Sequence, residues 1–297
     1  MNSLILQQQE EVIALAQFDI KDAVLKKCLL KEDETVITVP DGVTTIGKDA
    51  LCGLQSVIAV TLPESLKVIN DGAFYGCSSL TSVTLPGSVE RLGSCAFAQC
   101  SALNTIYLDN KLTAIGNSAF WGCTSLESID IPAGVTKIGY NLFGSCLSLI
   151  SVSLPDTVTE LDERAFKECT SLACITLPDS LIKIGNMAFL NCHNLKSVNI
   201  PDRLESIGEK AFFMCESLHE LEIPDGIISV GGDAFSDCVS VTVRSTISGK
   251  PLYKAVTATD GSSAYNFILR NIWDKGSFDF TAQDNYFPAL QDENLQY

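Results

Sequence analysis

The chain has 297 residues, 46% of them hydrophobic and 19% charged, and 36 acidic against 20 basic side chains leave a formal net charge of −16. That apolar fraction excludes a disordered chain, and no apolar run approaches the roughly 18 residues that would span a bilayer, so no membrane insertion is expected. A surface this acidic suits neither nucleic-acid phosphate nor an anionic membrane, which need clustered Lys and Arg; a basic or neutral partner is easier to accommodate.

Residues 1–35 come first in chain order. Val12, Ile13, Ala16, Ile20, Ala23, Val24 and Cys28 recur at helical spacing. An open array of repeats needs its apolar end covered, so the spacing predicts a helical N-terminal cap. The first basic residue is Lys21, whereas a secretory leader needs a basic start ahead of its apolar stretch. As given, the chain reads as cytoplasmic, or as the mature part of a cell-surface or secreted protein.

Residues 36–241 repeat. Pro40, Pro63, Pro86, Pro132, Pro155, Pro178, Pro201 and Pro224 fall 23 residues or twice that apart, with Asp109 in the empty slot. Phe74, Phe97, Phe120, Phe143, Phe166, Phe189, Phe212 and Phe235 form a second column. Cys77, Cys100, Cys123, Cys146, Cys169, Cys192, Cys215 and Cys238 form a third. Three columns in one phase specify an array of about nine turns, each touching its neighbours.

Within one turn, Leu80, Val83 and Leu85 alternate as a short strand with one buried face. Pro86 ends it, because it cannot donate to a ladder. Val89 and Leu92 suit a turn or a 3₁₀ segment on the return path. Gly93 gives way to Asn70 and Asp162 in other turns, which reads as a position needing φ > 0. Ala96, Phe97 and Cys100 face inward. Stacking gives a parallel sheet with strands about 4.8 Å apart, and the crossover rule makes the winding right-handed.

The whole unit reads C-x-x-L-x-x-[IV]-x-[LI]-P-x-x-[VL]-x-x-[IL]-G-x-x-A-F-x-x-C. This pattern resembles the BspA-like class of leucine-rich repeats. The resemblance implies an α/β-type repeat, a right-handed leucine-rich-repeat solenoid with one short parallel strand per 23-residue turn. It also implies a surface-exposed adhesion or interaction protein of bacterial origin.

Residues 242–297 leave the register. Ala264, Phe267, Ile268, Ile272 and Trp273 share a helix-like face, followed by Phe278, Phe280, Tyr286 and Phe287. The expectation is a non-repeat C-terminal cap or docking segment.

Equivalent cysteines in a parallel stack hold their Cβ atoms about 4.8 Å apart, beyond the roughly 3.5–4.5 Å of a disulfide. A straight ladder does not converge on a zinc tetrahedron either, so the column reads as reduced, buried thiol. Cys174 falls at an outward strand position. His193 and His219 lie in different columns without a repeated nucleophile beside them, so no catalytic centre, metal or cofactor is expected. Asp41, Glu64, Asp156, Asp179, Asp202 and Asp225 follow the prolines and read as turn residues bonding nearby backbone N–H groups.

The outward strand positions form the candidate binding strip, expected on a concave face. One column holds Ser82, Thr105, Ser128, Ser151, Ser197 and Glu220; the other holds Thr84, Tyr107, Asp130, Ser153, Thr176, Asn199 and Glu222. This hydroxyl-rich face with one aromatic suits hydrogen bonding to a polar partner. The expected function is non-catalytic binding of a protein or glycan. The alternative is a structural spacer, or a surface adhesin component whose contacts are made by the caps and tail.

Overall fold

The computed structural model describes residues 16–30, 34–224, 227–238 and 242–245. Each turn of the solenoid makes three runs. The first is a short strand: Val36–Thr38, Ala59–Thr61, Ser82–Thr84, Thr105–Tyr107, Ser128–Asp130, Ser151–Ser153, Cys174–Ile175, Ser197–Val198, Glu220–Ile223 and Thr242–Ser245. Its inward residue is apolar and buried, as at Val83 and Ile129, and β-branching suits the pleated backbone.

The second run is also a strand, where a turn or 3₁₀ segment was expected. Arg91–Leu92 is bracketed by Val68–Ile69 and Ala114–Ile115 in parallel register, Val68 opposite Arg91 and Ile69 opposite Leu92. The stacked neighbours supply the backbone partners that a lone two-residue strand lacks. The α/β label is corrected with it: no helix is present among the described residues.

The third run wraps the Phe column and builds a ladder of its own. The Cys95, Phe97 and Gln99 N–H groups donate to the Asn117, Ala119 and Trp121 carbonyls at 2.9, 2.8 and 2.7 Å. Reaching that geometry puts residues such as Cys95 and Gln99 in the left-handed region, at φ 53° and 60°. For a side-chain-bearing residue this costs roughly 1–2 kcal/mol, offset by the ladder it permits. Gly93 has a different role from the one expected. It is not among the positive-φ residues; like Gly116, Gly185, Gly208 and Gly231 it is small because the preceding turn passes too close. A Cβ at Gly185 would stand 2.6 Å from the Asp162 carbonyl carbon and from the Glu163 nitrogen.

Inside, the Phe rings from Phe74 to Phe235 stack in one pile, with centroid spacings from 4.9 to 6.0 Å and interplanar angles no larger than 15°. Leu51, also buried, occupies the slot one turn before Phe74. The cysteines beside this pile do more than fill space. Each column thiol donates to a carbonyl 26 residues earlier, as Cys123 to Phe97 at 3.1 Å and Cys146 to Phe120 at 3.2 Å.

At the N-terminal end the helical cap is overturned over its described part. Gln17–Lys21 (β1) and Val24–Leu29 (β2) form an antiparallel hairpin. Asp22 and Ala23 turn it with φ 53° and 60°, the two positive values that a tight hairpin turn demands. β2 then pairs in parallel with Thr45–Ile46, so the first turn's open edge is covered. Leu25 and Cys28 join the core. Val12 and Ile13 lie outside the described residues. At the other end the sheet continues past residue 241: Thr242–Ser245 pairs with Glu220–Ile223 at an offset of 22, one short of the repeat. The tail aromatics lie outside the described residues.

Candidate functional site

The first strand row carries the predicted strip, and its pairings place the two outward columns side by side. Ser82 stands opposite Thr105, Thr84 opposite Tyr107, Ser128 opposite Ser151, and Asp130 opposite Ser153. Ser82, Thr84, Ser128, Asp130, Ser151, Ser153, Thr176 and Ser197 are exposed, and Thr105 is half-buried. Tyr107 is the outstanding member, with 68% of its surface accessible. Cys174 is exposed in the same strip, opposite Ser197. The Glu220 and Glu222 backbones pair with Thr242 and Arg244.

Asn199 has a structural task that residue type alone did not reveal. Its side-chain Oδ1 accepts from the Leu177 N–H at 2.7 Å, and its Nδ2 donates to the Leu177 carbonyl at 2.8 Å. The amide therefore imitates a strand partner, and it is committed to Leu177.

The row is not continuous. Hydrogen-bonded pairing stops between Thr105–Tyr107 and Ser128–Asp130, and again between Ser151–Ser153 and Cys174–Ile175. At the first break the second row stops too, between Ala114–Ile115 and Lys137–Ile138. The Phe-side ladder carries on across it, Phe120 N–H to Leu142 carbonyl at 3.1 Å. At the second break a groove of about 450 Å³ opens beside Ser153, Thr176 and Asn199.

Among the described residues Asp41, Glu64, Asp156, Asp179 and Asp202 do not close their turns, contrary to expectation; Asp225 lies outside the described residues. The proline carbonyl takes that bond, from Val158 to Pro155 at 3.1 Å and from Leu181 to Pro178 at 3.0 Å. Asp109, in the empty proline slot, does bond its own turn, accepting from the Lys111 N–H at 3.1 Å.

A family description, the BspA type leucine rich repeat region, matches residues 19–150 and 136–250, with 6 copies of the repeat. The chain belongs to the BspA-type leucine-rich repeat family. Two solved structures resemble this BspA-type chain over most of its length. A leucine-rich repeat protein from Bacteroides ovatus ATCC 8483 is 25% identical, with a TM-score of 0.62, covering 79% of this chain and 70% of its own. A leucine rich cell surface protein from Faecalibacterium prausnitzii A2-165 is 28% identical, with a TM-score of 0.61, covering 77% of this chain and 74% of its own. Among curated proteins nothing matches the chain.

Within this BspA-type array all twelve cysteines are free. Burial pushes the Cys123, Cys192 and Cys238 thiols up to about 12, because the thiolate would lose its hydration. They are packing and hydrogen-bonding groups, the opposite of activated nucleophiles. His193 Nδ1 lies 3.4 Å from Glu216 Oε1, one turn on. Among the described residues no three His, Cys, Asp or Glu gather as a metal site.

Proposed function

We propose that this chain is a non-catalytic interaction module that binds a protein or glycan partner through the outward face of its first strand row. The observation that carries the reading is the accessibility of Tyr107 in a strip of exposed hydroxyls with the Asp130 carboxylate. A ring 68% exposed beside Asp130 and Thr84 is not held there by packing, and aromatic anchors are enriched at binding hot spots. The F. prausnitzii relative is named a cell surface protein, and we extend that placement to this chain.

The test is capture from host extracellular matrix and source-cell lysate on immobilised chain, intact or carrying Tyr107→Ala with Asp130→Ala. Asn199 is left untouched because its amide holds the backbone. The reading expects a partner retained by the intact chain and lost by the double variant, whose circular dichroism is unchanged. A partner that ignores both changes but disappears when residues 246–297 are removed would make the array a spacer. The continuous Phe pile and thiol ladder, which stiffen the rod, favour that second reading.

A further inference from the structure

The groove at the second break of the strand row has a composition that selects its ligand. Its polar lining is Ser153, Asp156, Thr176, Asp179 and Asn199, and its apolar part is Val152, Leu154, Leu177 and Pro178. On one side of the groove the Asn199 amide takes both backbone groups of Leu177, at 2.7 and 2.8 Å. Asp156 and Asp179 are both exposed, and neither forms an ion pair or hydrogen bond among the described residues. They occupy the same slot of adjacent turns and both line the groove. Two unneutralised carboxylates lining one groove repel each other, and a cation bound among them lowers that repulsion.

We propose that this groove receives the arginine or lysine side chain of an extended basic peptide segment of the partner. The proposal rests on the reading of the strand row as the binding face and names the partner's chemistry there. Guanidinium supplies several N–H donors in one plane, matching two carboxylates and two hydroxyl oxygens that all accept. The lining contains no aromatic ring on which a sugar face could stack, so a cationic peptide fits it better than a glycan. Asp130, opposite Ser153 on the neighbouring strand, extends the acidic track, and the net charge of −16 draws a basic segment in.

The experiment uses the full chain and a fluorescein-labelled decapeptide of alternating arginine and serine. A glutamate–serine decapeptide and maltoheptaose serve as comparison ligands, with anisotropy or competition read at physiological salt. Asp156→Asn with Asp179→Asn should weaken the arginine peptide about tenfold. Asp41→Asn with Glu64→Gln removes the same charge from the same slot of turns that lack the groove, and should change binding less than about twofold. Equal weakening by both pairs would reduce the effect to net charge and overturn the site. Absence of arginine-peptide binding would overturn it as well. Preferential binding of maltoheptaose, lost on Tyr107→Ala and insensitive to the two aspartates, would overturn the peptide while leaving the strand-face reading standing.

Discussion

Replacing Phe143 with leucine measures what the ring pile contributes to the rod. Phe143 is fully buried, and its ring lies between those of Phe120 at 5.7 Å and Phe166 at 5.3 Å, tilted from them by 4° and 15°. Leucine keeps much of the apolar volume, so repacking alone should cost less than about 1.5 kcal/mol. The two lost ring pairs add roughly 0.5–1.5 kcal/mol each, for an expected total of about 1–4.5 kcal/mol. Phe74 is the control, because its ring stacks on Phe97 at 4.9 Å while the preceding slot already holds Leu51. Phe74→Leu should therefore cost about 1 kcal/mol less than Phe143→Leu, the value of one pair. Urea unfolding followed by far-ultraviolet circular dichroism gives both numbers. Equal losses at the two positions would show that the stack is incidental to packing and would refute the argument. In an array held by nearest-neighbour contacts the central change also severs two interfaces, so hydrogen exchange should report faster opening on both sides of Phe143.

Alkali should unfold the protein through its thiols. Cys123, Cys192 and Cys238 keep their protons in the fold up to about 12, while the unfolded chain releases them near an ordinary thiol value of about 8.5. The contribution is fully present below that lower value and is lost as pH rises toward the upper one, at about 1.4 kcal/mol per pH unit for each thiol. Urea midpoints measured from pH 8 to 10.5 under reductant should fall, and Cys192→Ala should make the slope shallower by about one proton; superimposable slopes would count against burial as the cause. Asn199→Ala leaves the Leu177 N–H and carbonyl without partners and should cost about 1–3 kcal/mol. Its signature is accelerated exchange of the Leu177 amide, and an unchanged exchange rate would mean that the amide does not hold that segment.

The columns were legible because a 23-residue period repeats one local solution. Phe97 and Cys100 recur with identical surroundings, so their burial follows from any one turn. The outward placement of Ser82, Thr84 and Tyr107 follows from strand alternation and the stop at proline. The N-terminal hairpin was hidden for two reasons. Ala23 is an unusual residue for a positive-φ turn position, and the burial of β2 breaks alternation, with Leu25 and Cys28 three apart. That spacing reads as a helix until the open edge at Thr45–Ile46 is available to pair with it.

Sequence alone thus determined the repeat, its buried columns and its outward face, since each depends on contacts within a turn or between identical slots. Tertiary structure alone decided how neighbouring turns meet where they are not identical. The second strand exists because the turns above and below complete its hydrogen bonds. Gly185 is small because Asp162 and Glu163 pass beside it. Asn199, an ordinary polar residue on a strand face, becomes a backbone clamp because Leu177 lies one turn away. The groove beside it belongs to the gap between two turns, and a gap has no residue of its own to be read.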